Sequence, residues 1–86
     1  MTKQITIYDL LPFLETGWVA MDKSGIWWWY EFKPMKREFY WYEKNGGNVV
    51  ELHYIFNIAP FDGDWKDSLI KIDHFHQQGK MVKEEE

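Results

Sequence analysis

Three indoles and three cations form the chemically richest grouping in this chain. Trp27, Trp29 and Trp41 flank a short basic run, Lys33, Lys36 and Arg37. Flat rings stack on nucleobases, and Lys or Arg neutralises phosphate, so the set could hold a nucleotide or a short single-stranded segment. A second grouping is acidic. Asp62, Asp64 and Asp67 surround Gly63 and Trp65. With Phe39, these residues could dock on a protein partner: rings serve as buried anchors, and the acids oppose a basic groove. A calcium loop needs more oxygen ligands at a stricter spacing, so this acidic stretch reads instead as a turn followed by a helix cap.

The remaining reactive residues do not assemble into a catalytic set. His74 and His76 place two imidazoles on one side of an extended segment, without an evident third or fourth metal ligand. That segment reads as a solvated tail. Ser24 and Ser68 have no histidine at a recognisable spacing, and no phosphate-cradling glycine loop is present. The expectation is therefore a binding protein that is not an enzyme and carries neither metal nor cofactor.

Composition narrows the class further. The 86 residues carry 10 Lys plus Arg against 14 Asp plus Glu, a formal charge of −4. That sign disfavours a long polynucleotide as partner. With no cysteine there is no disulfide and no thiolate metal site. No apolar run approaches the length of a membrane span and no leader pattern opens the chain, so the expected location is the cytoplasm, away from membranes. Residues 1–72 read as a single globular domain and 73–86 as a charged, flexible tail. The tail holds four acids (Asp73, Glu84, Glu85 and Glu86) against Lys80 and Lys83, leaving the domain near neutrality.

One residue in five is aromatic. A domain this small buries only roughly 60% of its unfolded surface, and large rings are an economical way to build its core. The elements that must position them follow from local pattern. Residues 3–7 alternate as a short extended lead-in. Leu10, Leu11, Phe13 and Leu14 make a helical stripe over about 9–16, with Asp9 as N-cap, Thr6 as the rival cap and Gly17 at the end. Strands are expected at Trp18–Asp22, Ile26–Lys33, Glu38–Glu43 and Val49–Phe56. A turn closes the first pair at 22–25, Pro34 opens a loop through Arg37, and Lys44–Asn48 makes a hairpin turn. A loop covers 57–64, Asp64 caps a helical turn at Trp65–Asp67, and Ser68–Ile72 can finish as a strand. The fold class is α+β: one short N-terminal helix on a small twisted antiparallel sheet of four to five strands.

Period-two alternation then sorts the rings. Ile26, Trp28, Tyr30 and Phe32 share one face and Trp27 and Trp29 the other. Val50, Leu52, Tyr54 and Phe56 share a face, as do Tyr40 and Tyr42, opposite Phe39 and Trp41. If the helix covers Trp28, Tyr30 and Phe32, then Trp27, Trp29, Phe39 and Trp41 are left on the far side. An uncovered patch of that kind requires a cover. The candidates are the 57–65 loop, a second copy in a homo-oligomer, a partner protein or a ligand.

The stretch Ile-Tyr-Asp-Leu-Leu-Pro-Phe-Leu-Glu-Thr-Gly-Trp-Val-Ala-Met-Asp and the later Ile-Ala-Pro-Phe-Asp-Gly-Asp-Trp resemble small accessory proteins of bacterial phages and prophages. The resemblance spans residues 5–72 and implies no particular activity. Architecturally, a short helix ending at Gly17-Trp18, an aromatic sheet, and Asp64-Trp65 before a last strand are similar to the phage anti-Thoeris sponges, small oligomers that sequester cyclic nucleotide signals of host defence. The sequence between those pairs departs from that family, so its binding positions do not transfer. The likeness implies an anti-defence protein that sequesters a small nucleotide-like signal; the residue types put that ligand on the aromatic face, with Trp27, Trp29, Trp41, Lys33, Lys36 and Arg37 as the expected ligand set. The alternative is an inhibitor of the anti-CRISPR kind, docking Phe39, Asp62, Asp64 and Trp65 on a host defence protein.

Overall fold

The computed structural model describes residues 4–74. The start of the expected lead-in, His76 and most of the expected charged tail lie outside the described residues. A short helix, α1 (Ile7–Leu10), opens the fold. Thr6 caps it, accepting from the backbone N–H of Asp9 while the Asp9 carboxylate accepts from the N–H of Thr6. This reciprocal box satisfies two otherwise orphaned donors, which is why the helix starts at the rival cap and not at Asp9. Starting earlier, the α-helix also ends earlier. Leu11–Phe13 continue as a 3-10 turn with Pro12 near its start, and Leu14 is already extended.

Among the described residues six strands follow: β1 (Gly17–Met21), β2 (Trp27–Tyr30), β3 (Met35–Lys36), β4 (Trp41–Tyr42), β5 (Val49–Glu51) and β6 (Ile70–Ile72). Two sheets result. The larger is antiparallel with order β5-β2-β1-β6, and the smaller is the β3–β4 pair. The α+β expectation holds, but strand lengths and partners differ from the sequence reading. Met35 and Lys36, expected in a loop, pair with Tyr42 and Trp41. The expected strand at 38–43 shrinks to two residues, and the one at 49–56 leaves the sheet at Leu52 for a 3-10 turn, Leu52–Tyr54. Residues 44–48 therefore join strands of different sheets and do not close a hairpin. The Glu43 carboxylate holds this connection, its Oε1 accepting from the backbone N–H groups of Asn45, Gly46 and Gly47 at 2.7–3.1 Å. Gly46 adopts φ 77°, which glycine tolerates without steric cost.

Cross-strand register assigns the faces, because directly opposed residues point the same way. Met21 opposes Trp27, Val19 opposes both Trp29 and Ile70, and Trp29 opposes Val50, so these side chains share one face. Ala20 opposes Trp28, Trp18 opposes Tyr30 and Lys71, and Tyr30 opposes Val49, which defines the other. The helix sits on the Trp27 face. Ile7 and Leu10 pack there with Val19, Met21, Trp27, Leu52, Ile58 and Ile72. The 57–65 loop contributes to this layer: Ile5 bridges Ile58, the Trp27 indole donates to the Ala59 carbonyl at 3.0 Å, and Phe61 meets Trp27 edge-on.

The Trp28 face has its own smaller core, Ala20, Tyr30 and Trp41, flanked by Trp18, Trp28, Trp65 and Leu69. The β3–β4 ribbon covers it from outside, with the Trp41 indole donating to the Met21 carbonyl at 3.1 Å and its ring meeting Trp65 at 90°. Asp64 caps the Trp65–Asp67 turn as expected. The chain thus covers both faces of its own sheet, with the helix on the side opposite to the expected one. Of the expected helix-side core, Phe32 is substantially exposed and Tyr54 almost fully so, because both lie beyond the points where their strands end.

Candidate functional site

The expected platform of three indoles does not form. Trp27 is fully buried in the helix-side core, while Trp41 is buried in the core on the opposite face. Trp29 shares the face of Trp27, is half-buried, and donates from its indole to the Glu15 carbonyl at 3.1 Å. The sheet itself separates Trp27 and Trp29 from Trp41, so one flat ligand cannot stack on all three. Trp27 serves as packing, a consequence of the two-sided cover that local sequence does not announce.

The basic residues spread along the outer side of the other face. Lys33 and Lys71 both approach the Trp18 ring, at 5.6 and 5.7 Å from its centroid. Lys36 opposes Trp41 in the β3–β4 ribbon. The Arg37 guanidinium lies 4.8 Å from the centre of the Tyr42 ring, and the Arg37 N–H donates to the Tyr40 carbonyl, fixing the bend between β3 and β4. Of the expected ligand set, Trp41, Lys36 and Arg37 are brought together on this ribbon. Trp27 and Trp29 are not.

Between the ribbon and the sheet lies a pocket of about 330 Å³. Trp28, Tyr30 and Val49 rise from the sheet to form one side, and Tyr40, Trp41, Tyr42 and Glu43 form the other, with Asp22 among the lining residues. Five of these eight residues are aromatic, which makes the pocket a stacking environment. The carboxylates add polarity of one sign. Asp22 accepts from the Trp28 indole at 3.1 Å and from the Ser24 hydroxyl. Glu43 spends Oε1 on the turn, whereas its Oε2 is enclosed and has no hydrogen-bond partner among the described residues. Burial, and after it the charge of Asp22, pushes the Tyr30 phenol well above the ordinary tyrosine range, so it stays protonated and able to donate.

Sequence reasoning missed Trp28, Tyr40, Tyr42, Asp22 and Glu43 as site residues. The signal was present in the grouping Tyr40-Trp41-Tyr42-Glu43. Its placement over Trp28 and Tyr30 depends on β4 pairing back to β3 and lying across the sheet.

The expected partner-binding residues also scatter. Phe39 is half-exposed, with the Lys23 ammonium 4.8 Å from its ring centre. Asp62 and Asp64 are exposed, and Asp64 accepts from the Lys66 N–H as the turn cap. Trp65 instead packs inward against both cores. A separate apolar hollow of about 200 Å³ opens on the helix side between Leu14, Trp29, Val50, Leu52, Ile55 and Phe56. The His74 ring hydrogen-bonds the Leu14 carbonyl, and His76 lies outside the described residues. Among the described residues no group of three or more His, Cys, Asp or Glu converges to hold a metal, and no helix is long and apolar enough to cross a membrane.

No protein-family model matches this chain, and neither a curated protein nor a solved structure does.

Proposed function

We propose that this chain is a non-catalytic binding protein of the phage anti-defence kind that sequesters a small nucleotide-like ligand. The ligand site in this reading is the pocket between the β3–β4 ribbon and the sheet. The observation that carries it is the ring lining of that pocket, with Arg37 seated on the Tyr42 wall. Its size falls at the lower end of ordinary small-molecule sites. A base entering edge-first meets aromatic walls, and a phosphate left at the mouth can reach Arg37 or Lys36. The anti-defence setting rests on the resemblance to phage accessory proteins and nucleotide sponges, and the near-neutral domain charge favours a small ligand over a polynucleotide. A homo-oligomer would enclose the ligand further by closing the pocket between copies.

Calorimetric titration with mononucleotides, cyclic dinucleotides and ADP-ribose isomers tests the reading. Saturable heat is expected with at least one, and it should weaken at least tenfold in Tyr42→Ala. That ring is 41% exposed, so its removal spares the core. Absence of heat with every nucleotide ends the proposal.

A second reading, docking on a host defence protein, draws support from exposed Phe39 with exposed Asp62 and Asp64. Stable capture of a defence enzyme that Phe39→Ala abolishes and Tyr42→Ala does not would favour it.

A further inference from the structure

We propose that the ribbon pocket selects a ligand whose buried end is cationic, such as an N-methylated purinium base or a quaternary ammonium group. This rests on the same pocket as the nucleotide reading and assigns the chemistry of its inner end.

The argument is electrostatic. Aromatic faces carry negative quadrupolar potential and attract cations lying over them, most strongly where water is excluded. Here the rings of Trp28, Tyr30, Tyr40, Trp41 and Tyr42 line the same 330 Å³ space as the Asp22 and Glu43 carboxylates. Lys23, Lys33 and Lys71 lie over rings outside the pocket, Phe39 and Trp18, and Arg37 lies over Tyr42 at the ribbon, which leaves Trp28 and Tyr40 to the ligand. Among the described residues no Lys, Arg or His lines the pocket. Neither carboxylate is matched by an ion pair among the described residues. Glu43 Oε2 is enclosed without a hydrogen-bond partner, so negative potential is held beside the rings by an oxygen that nothing nearby satisfies. Asp22 accepts from the Trp28 indole, which draws the aromatic wall and the carboxylate together. A neutral base would gain stacking and N–H donation to a carboxylate, whereas a cationic one of similar shape would gain the field of two carboxylates as well.

Ligands matched in shape and different in charge provide the test. The 7-methylguanosine and guanosine monophosphates form one such pair, and choline serves as a probe without a nucleotide. Tryptophan quenching and calorimetry should show the methylated nucleotide binding at least tenfold more tightly than its neutral counterpart. Glu43→Gln should reduce that ratio to below threefold. Gln keeps an acceptor for the turn N–H groups, and the melting temperature verifies the fold. Asp22→Asn gives an independent check of the same loss. Equal affinity for the charged and neutral nucleotides would overturn the cationic assignment while leaving the nucleotide reading standing. Binding of choline with no nucleotide bound would do the reverse. If neither choline nor the methylated nucleotide binds, the assignment is overturned outright.

Discussion

Replacing Ser68 by Ala should destabilise the fold by about 1–3 kcal/mol, the cost of leaving a buried polar group unsatisfied. Ser68 is fully buried although polar. Its Oγ accepts from the Met21 N–H at 2.8 Å and has one proton to donate, with the Trp65 carbonyl at 2.7 Å and the Met21 carbonyl at 3.0 Å as the available acceptors. The β1–β6 ladder explains the need. Its last pair is Val19 with Ile70, so β6 offers no carbonyl to Met21 two residues further on. The serine hydroxyl replaces the missing ladder partner and ties the Trp65–Asp67 turn to the end of β1. Alanine removes almost no volume, so the packing term is small and the loss is that of the hydrogen bond. In a domain of this size each kcal/mol moves the melting temperature by roughly 4–8 °C, which places the expected drop at about 5–20 °C. Urea unfolding monitored by tryptophan fluorescence gives the free energy, and amide exchange at Met21 gives the local consequence. Ser24→Ala, at an exposed turn, is the control and should stay within about 0.5 kcal/mol of the parent. A Ser68→Ala protein as stable as that control, with the Met21 amide still protected, would refute the reasoning.

Trp27→Ala should cost about 3–5 kcal/mol, because the ring is fully buried in the larger core; loss of cooperative unfolding in circular dichroism is the expected sign, and a native-like melt would contradict the face assignment. Gly17→Ala should also destabilise, since a Cβ there would lie 2.6 Å from the Tyr30 carbonyl oxygen, a backbone atom that cannot step aside; an unchanged melting temperature would show the strands to be further apart. The raised Tyr30 phenol has a pH consequence with a definite sign. Unfolded tyrosine ionises near pH 10 and the folded group does not, so stability is complete below about pH 10 and falls as the pH rises above it. Melting temperatures measured between pH 9 and 11 should fall less steeply in Tyr30→Phe than in the parent, and identical slopes would disprove the linkage. Thr6→Ala should cost about 1 kcal/mol by opening the capping box, measurable by the same urea titration.

Much of the secondary structure was legible because its causes are local. Thr6 and Asp9 stand three apart, as a capping box needs, Asp64 precedes a turn it can cap, and a continuous run of aromatics marks β2. Strand ends were less legible. Val49–Phe56 alternates well enough for a longer strand, yet the chain leaves the sheet at Leu52 so that this residue can enter the helix-side core. The candidate pocket was legible only as separate parts. Trp41 stands out by type, but Asp22 and Trp28 join it only when the ribbon folds over the sheet.

The position of each ring along the strand determined by itself which rings must share a face: Trp27 with Trp29, and Trp28 with Tyr30. That follows from the two-residue repeat of any strand. Which face becomes the main core is a different question, since both are apolar enough to be buried and period two treats them alike. Tertiary structure decided it. The capped helix and the Ile58–Phe61 segment settle on Trp27, while β4 turns back onto β3 to cover Trp28 and Tyr30. The ring excess is the material for two thin cores on one small sheet, and the pocket is the space left where the second cover meets the sheet incompletely.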